Sequence, residues 1–411
     1  MADLLAKSVM AVTMATVTVR STLSYYVKGP RCPSWPLWFQ VRRDTIHRAI
    51  RTAPKAALTD DAIDEIDFAQ MDEERRRWDL PESTLPAEIG AHRRGAIRVG
   101  DVAIDAAAAF AGTGPAESGL LALDAADRAA GGQREIPYEI IAPDALRRTA
   151  DSSGCSAERL FDCAPLAAGE RVILYLHGGA YKMGSAASHR ALVGRIAAHA
   201  GLRSVSIEYR LAPLHPFPAQ LHDAYISFQH LVARGFAPGD IVVAGDSAGG
   251  NLALVLALLL RHTGVGVRGL LLLSPWADLI TERASLKRNA RFDFLTAPPL
   301  ASPLSPARTF YAPGRRLDEG MRREMAHPLV SPVYADFAGF PPTLIQAGEK
   351  EVIIDEIAQL HHNIAAANPG ADPARHVYEC VPDMVHVFHQ FLSLPDARRA
   401  IARAGEFIAS L

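Results

Sequence analysis

A serine lies in a turn of small residues between an apolar run and a helix-forming segment. Residues 245–250 read Gly-Asp-Ser-Ala-Gly-Gly, directly after the apolar run at 241–244. A Gly-x-Ser-x-Gly turn between a strand and a helix presents the serine hydroxyl as a nucleophile. Gly245 and Gly249 leave room for so tight a turn. The spacing therefore predicts Oγ of Ser247 as the attacking atom, at a helix N-terminus that favours a developing negative charge.

A second segment offers backbone donors for such a charge. The apolar run at 171–176 is followed by His177, Gly178, Gly179 and Ala180. Acyl transfer passes through a tetrahedral oxyanion that needs fixed N–H donors. We predict the donors to be Gly178, Gly179 and Ala248, the residue after the nucleophile. His177 is expected to brace the loop with a hydrogen bond rather than to act as a base.

Four motifs in a fixed order resemble the hormone-sensitive-lipase-like branch of the α/β-hydrolases. They lie at 177–185, at 208–213 with 215–218, at 245–251, and at 274–278 with Asn289 and Asp293 downstream. The resemblance runs from about Glu135 to the C-terminus and implies esterase-type chemistry. A Gly, Pro and Trp stretch at 29–38 is similar to fungal members. One departure is Ala180, where the family usually has a third glycine; a positive φ there would cost about 1 kcal/mol.

The resemblance also implies the two partners of the serine. In this fold the chain order is serine, acid, histidine. Glu351 matches the family acid after Gly348, and Asp355 is the alternative, although it would more often complement a helix N-terminus. His386 matches the family histidine in the loop after the last strand, with His389 as its near rival. The acid would hold the imidazole tautomer and stabilise the imidazolium.

Apolar runs alternate with helical patterns, which predicts a mostly parallel central sheet flanked by helices. The resemblance implies that this sheet belongs to an α/β-hydrolase fold with a helical cap. Strands are expected near 97–104, 136–142, 171–176, 203–208, 241–245, 268–273, 342–347 and 375–381, and helices near 188–200, 218–234, 250–262 and 353–366. The predicted divisions are an N-terminal cap or anchor segment (1–80), a core (90–411) and a cap insertion (276–340). Residues 106–134 are expected to form a surface insertion. Tyr181 and Trp276 are candidate pocket residues.

Composition limits the class of protein. The 411 residues are 49% apolar and 21% charged, with net charge −2, so a globular chain is expected and nucleic-acid binding is not. The four cysteines have neither metal-ligand nor disulfide-framework spacing, which favours a reducing, cytoplasmic compartment. A single bridge between Cys155 and Cys163 is the alternative. No metal or organic cofactor is expected, and the oligomeric state is open.

The N-terminus allows three interpretations. Residues 8–19 are mildly apolar but too short to span a bilayer. They could form a cap helix, a membrane-surface helix that gives peripheral membrane contact, or a targeting segment. The charged stretch at 60–78 is expected to be a solvated helical face.

The predicted function is that of a serine carboxylic ester hydrolase acting on small or lipophilic esters with short acyl or acetyl groups. Two alternatives use the same fold. An acyltransferase would pass the acyl group to an alcohol instead of water. A non-catalytic small-molecule receptor, similar to the gibberellin receptors, would keep the pocket but lose the histidine.

Overall fold

A single eight-stranded sheet forms the centre of the molecule. The computed structural model describes residues 2–52, 82–153, 156, 158–295 and 298–411. The strands are β1 Gly90–Arg98, β2 Glu135–Pro143, β3 Val172–Leu176, β4 Arg203–Ile207, β5 Ile241–Asp246, β6 Gly269–Leu273, β7 Thr343–Gly348 and β8 His376–Val381. Their order is β1-β2-β4-β3-β5-β6-β7-β8. β2 is antiparallel to both neighbours and every other pair is parallel, so the predicted fold class is confirmed.

Helices cover both faces of the sheet. They are α1 Ala2–Lys28, α2 Leu37–Thr52, α3 Ala106–Phe110, α4 Glu117–Ala129, α5 Asp144–Ser153, α6 Ala186–Ala200, α7 Ala219–Ala233, α8 Ala248–His262, α9 Ala284–Arg288, α10 Pro306–Tyr311, α11 Glu319–Met325, α12 Ile354–Ala367 and α13 Pro395–Ser410. Along β3, Val172, Leu174 and Leu176 pack on the side of α7, α8 and α12, whereas Ile173 and Tyr175 pack on the side of α6 and α13. Burial on both faces explains why these strands read as continuous apolar runs.

The first strand lies seven residues earlier than the sequence predicted. β1 spans Gly90–Arg98, whereas 97–104 was expected. β1 is an edge strand, and Arg93 and Arg94 on it are exposed. Because edge strands often carry charged side chains, β1 contains no apolar run from which a strand would be predicted. The predicted apolar segment instead turns at Val99–Asp101 and leaves the sheet.

Residues 106–134 are more than a surface insertion. They contain α3 and α4, and Phe110 and Leu120 are fully buried in the core on the α8 side of the sheet. That part of the surface prediction was wrong, because two apolar anchors in an Ala- and Gly-rich segment suffice to hold it against the sheet.

The N-terminal helices pack on the loop that follows β8. Trp35 Nε1 donates to the carbonyl of Asp383 at 2.7 Å, and the Phe39 and Phe391 rings meet edge to face with centroids 4.8 Å apart. Within the described ranges, no helix is both long and apolar enough to cross a membrane. The predicted charged helix at 60–78 lies outside the described residues.

Candidate active site

Ser247 lies in a strained turn between β5 and α8. Its φ is 53° and its ψ is −118°, and its N–H donates to the carbonyl of Leu273 at 2.9 Å. A Cβ on Gly249 would lie 2.0 Å from the carbonyl oxygen of Leu176, and one on Gly245 would lie 2.3 Å from that of Gly249. Both positions therefore require glycine. A non-glycine residue held at positive φ costs about 1–3 kcal/mol, and such strain concentrates at functional sites.

The structure brings Ser247 together with two other predicted residues. Nε2 of His386 lies 2.8 Å from Oγ of Ser247, and Nδ1 of His386 lies 2.9 Å from Oε2 of Glu351. Glu351 is fully buried and His386 is 3% exposed. The three side chains follow β5, β7 and β8 and meet at the carboxyl edge of the sheet, where open α/β sheets place their sites.

Ser274 supports this arrangement from a fourth strand end. Its hydroxyl donates to Oε1 of Glu351 at 2.6 Å and accepts the N–H of Val387 at 3.0 Å. The hydroxyl thus joins the acid to the loop of His386. The sequence motif contained Ser274 but gave no sign of this role, because both partners lie more than seventy residues away.

Asp293 is a second buried carboxylate beside His386. Its Oδ1 accepts the N–H of His386 at 3.3 Å and its Oδ2 accepts the N–H of Val352 at 2.8 Å. From α2, the buried guanidinium of Arg43 donates to the Asp293 carbonyl. Burial raises the pKa of Asp293 to about 6, against the opposing charge of His386. The motif signal at this position was visible in the sequence, but its function was not.

The charge around His386 favours its protonated form. Burial alone would lower the pKa of His386, but the hydrogen bond and the negative charge of Glu351, together with the charge of Asp293, raise it above the ordinary value. This is the environment that stabilises an imidazolium after proton transfer.

The rival residues have other partners. Asp355 pairs with Arg288 at 2.6 Å and accepts the N–H of Ser285 at 2.8 Å. His389 is fully buried at 3.2 Å from the Gln346 side chain, and burial lowers its pKa to about 3. In the described part of the chain, neither is hydrogen-bonded to Ser247 or His386.

His177 lies in the glycine loop, as expected of a residue that braces it. Its ring stacks on Tyr209 with centroids 4.3 Å apart, and its Nδ1 lies 2.7 Å from the carbonyl of Gly178.

Gly178 is not available as an oxyanion donor, which corrects the sequence prediction. Its N–H donates to Oδ1 of Asp246 at 3.0 Å. In the described parts of the chain, the N–H groups of Gly179, Ala180 and Ala248 have no protein acceptor. Gly179 and Ala180 are half-buried and Ala248 is fully buried, and a buried N–H group without a partner is rare in folded proteins. Ala180 has a φ of 54°, so the alanine occupies the position where glycine is favoured.

The pocket prediction for Tyr181 was wrong. Its side chain is fully buried, its hydroxyl donates to Oδ1 of Asn251 at 2.6 Å, and its ring stacks on Phe310 at 3.9 Å. The ring and its hydroxyl are therefore used in packing and hydrogen bonding within the protein. Trp276 is half-buried, and its backbone N–H donates to the backbone carbonyl of Ser247 at 3.0 Å. Trp276 therefore remains a candidate beside the nucleophile.

Among the described residues, no group of three or more His, Cys, Asp or Glu side chains is arranged to hold a metal ion.

Comparison with known proteins places this site in a family. The sequence profile of a family described by the alpha/beta hydrolase fold matches residues 173–390, which include Ser247, Glu351 and His386. The chain belongs to the α/β-hydrolase family. Within this α/β-hydrolase, the matched segment runs from β3 to the residues just after the His386 loop.

Two curated relatives and one solved structure are similar to this α/β-hydrolase. It is 38% identical to an acetyl-hydrolase of Streptomyces hygroscopicus over 243 residues, covering 58% of this chain and 75% of that protein. It is 33% identical to an esterase of Acinetobacter venetianus over 253 residues, covering 60% of this chain and 77% of that protein. A crystal structure of an esterase from the bacterial hormone-sensitive lipase family superposes with a TM-score of 0.59 and 27% identity, covering 90% of this chain and 96% of that chain. These relatives are bacterial, so the expected likeness to fungal members has no support.

Proposed function

We propose that this protein is a serine carboxylic ester hydrolase that works through an acyl-enzyme on Ser247. The observation that carries the proposal is the continuous hydrogen-bonded series Ser247, His386 and Glu351, with distances of 2.8 and 2.9 Å. Relatives named esterase and acetyl-hydrolase support cleavage of an ester bond.

In the first half of the reaction, Ser247 Oγ attacks the ester carbonyl while Nε2 of His386 accepts its proton. Glu351, hydrogen-bonded to Nδ1, fixes the tautomer and stabilises the imidazolium that forms. His386 then gives the proton to the departing alcohol, which leaves the acyl group on Ser247. The mechanism requires no proton transfer from His386 to Glu351.

The tetrahedral oxyanion is held by three backbone N–H groups, those of Gly179, Ala180 and Ala248. Ala248 is the first residue of α8, so the partial positive charge at the helix N-terminus adds to its hydrogen bond. Ala180 takes the place that Gly178 was expected to fill, because Gly178 donates to Asp246 instead.

In the second half, His386 removes a proton from water, which attacks the acyl carbonyl. The bond between the acyl carbon and Ser247 Oγ then breaks, and His386 returns the proton to Oγ as the acid is released. Each proton transfer uses Nε2 of the same imidazole, which lies 2.8 Å from the serine.

We further propose a short acyl group as the substrate class, which the acetyl-hydrolase relative supports. Helix α2 and residues 276–295 and 298–340 are proposed as the cap over the site. α2 packs on the loop of His386, and Phe310 of the last range stacks on Tyr181 beside the glycine loop.

Turnover of p-nitrophenyl esters from acetyl to palmitoyl tests this function. Ser247→Ala should lower kcat by about 10⁴-fold or more with the fold intact, and Ser410→Ala, at an exposed serine of α13, should not. Mass spectrometry of the rapidly quenched enzyme should show the acyl adduct on the Ser247 peptide. An active Ser247→Ala protein would exclude the mechanism. Acylated alcohol in place of free acid, with a competing alcohol present, would indicate an acyltransferase.

A further inference from the structure

Helix α1 exposes an apolar stripe. The stripe consists of Ala15, Val19, Leu23, Tyr26 and Val27. Four of these side chains are large and open to solvent: Val19 is 59% exposed, Leu23 60%, Tyr26 74% and Val27 78%. Their spacing of three, four and eight residues places them on one face of the helix. Contiguous exposed apolar surface of this kind marks an interaction site.

The opposite face of α1 is held by the protein. The Ser21 hydroxyl donates to Oδ2 of Asp44 on α2 at 2.8 Å and is buried. The Tyr25 hydroxyl donates to the carbonyl of Trp35 at 3.2 Å. Since α2 in turn packs through Phe39 on Phe391, α1 is attached to the core and presents the stripe outward.

The segment that carries the stripe is strongly basic. Residues 1–52 contain eight Lys and Arg but only two Asp, a net charge of +6, whereas the whole chain has −2 and the remainder therefore has −8. Arg20 and Lys28 are exposed on α1 itself, next to the stripe. An apolar face bordered by cations is the pattern of a helix that lies in the interface of an anionic bilayer.

We propose that α1 docks this protein on an anionic lipid surface, with the stripe in the interface and Arg20 and Lys28 against the headgroups. The charge selects this occupant over a second copy of the chain, because pairing two stripes would bring together two segments of net charge +6. The helix lies on the bilayer and does not cross it, since no described helix is apolar enough to span.

Sedimentation of the full chain with vesicles tests the proposal. The protein should bind vesicles of phosphatidylcholine mixed with phosphatidylglycerol, should bind phosphatidylcholine alone weakly, and should be released by high salt. Leu23→Ser with Val27→Ser should lower the partition coefficient by about tenfold or more. Arg20→Gln and Lys28→Gln should each lower it by about fivefold on anionic vesicles only.

A matched control is Leu214→Ser, at a leucine that is 48% exposed outside the N-terminal helices, which should leave binding unchanged. All variants should keep the wild-type melting temperature and turnover of p-nitrophenyl acetate in solution, since α1 contributes no group to the reaction. Failure to bind either vesicle, or equal binding to both, would overturn the proposal. So would a wild-type dimer that Leu23→Ser with Val27→Ser converts to a monomer.

Discussion

The backbone N–H of Gly178 donates to Oδ1 of Asp246 at 3.0 Å, which ties the glycine loop after β3 to the residue directly before Ser247. The same oxygen accepts the Tyr175 hydroxyl at 2.8 Å and lies 3.4 Å from Nε2 of His189. Burial alone would raise the pKa of Asp246, but the charge and hydrogen bond of His189, with the bonds from Tyr175 and Gly178, lower it. One buried carboxylate thus fixes the separation of the proposed oxyanion donors and the nucleophile.

Asp246→Asn should therefore weaken both stability and turnover. The variant removes the charge that raises the pKa of His189 and weakens the hydrogen bonds that Oδ1 accepts from Tyr175 and Gly178, which should cost about 1–3 kcal/mol. The kcat of p-nitrophenyl acetate hydrolysis should fall because the glycine loop is no longer held. Asp396→Asn, at a surface pair with Arg399, is the control and should change neither quantity. Urea unfolding and steady-state kinetics measure both, and wild-type values for Asp246→Asn would contradict the assignment.

The identity of the acid can be tested by a matched pair of variants. Glu351→Gln should lower kcat by about 10³ to 10⁴-fold, since an amide can no longer hold the imidazole in the productive tautomer. Asp355→Asn should lower kcat by less than about tenfold, because this carboxylate serves Arg288 and a backbone N–H instead. The reverse ranking of the two kcat values would assign the role to Asp355.

Asp293 should set the pH dependence of the reaction. His386 accepts a proton only when neutral, so kcat/KM falls as the pH drops through its raised pKa. The charges that face His386 are those of Glu351, Asp293 and Asp246. Asp293→Asn removes one of them and should move the acidic limb of the kcat/KM profile to lower pH. Asp372→Asn, at an exposed residue, is the control and should leave the acidic limb of the kcat/KM profile in place. If neither variant moves this limb, the charge of Asp293 does not raise the pKa of His386.

The Asp293 carboxyl should also make the free energy of unfolding depend on pH. Its pKa is about 6 in the folded protein, against an ordinary value of 3.8 for an aspartate side chain. Between these values the folded state retains a proton that the unfolded state releases, so the contribution of Asp293 to stability falls as the pH rises from about 4 to 6. The wild-type free energy of unfolding minus that of Asp293→Asn, measured by urea unfolding at a series of pH values, should therefore fall as the pH rises through this window.

Ala180→Gly should stabilise the fold. The alanine has a φ of 54°, where a Cβ costs about 1 kcal/mol relative to glycine. Its N–H remains present, so the proposed oxyanion donor is retained. Ala111→Gly, at an exposed alanine with a φ of −56°, should instead be neutral or destabilising by up to about 1 kcal/mol. Thermal unfolding measures the change in stability of each variant relative to the wild type. A destabilised Ala180→Gly protein would show that the loop depends on the Cβ of Ala180.

Local motifs were sufficient for the fold class and for bringing three distant residues together. Ser247, Glu351 and His386 each follow a predicted strand, and parallel strands align their carboxyl ends at one edge. The same reasoning failed for β1, whose charged edge sequence resembles a surface segment.

Contacts between distant segments were beyond the reach of the sequence. The donor assignment of Gly178 failed because its acceptor, Asp246, lies 68 residues away, and Tyr181 is covered by Phe310 from another segment. Asp293 and Ser274 were visible as motif residues, but nothing local indicates that each supports the loop of His386. A motif therefore predicts the type of chemistry more reliably than which backbone group performs it.

The contact between Phe39 and Phe391 joins the two ends of the chain, because 352 residues separate the rings that meet at 4.8 Å. On a ribosome adding about 5–20 residues per second, the apolar side of α2 is made roughly 20–70 s before the side chains that cover it. During that interval Trp35 and Phe39 have no native partner on the C-terminal loop. The native packing of α2 on the core therefore forms only after the loop that follows β8 has been synthesised.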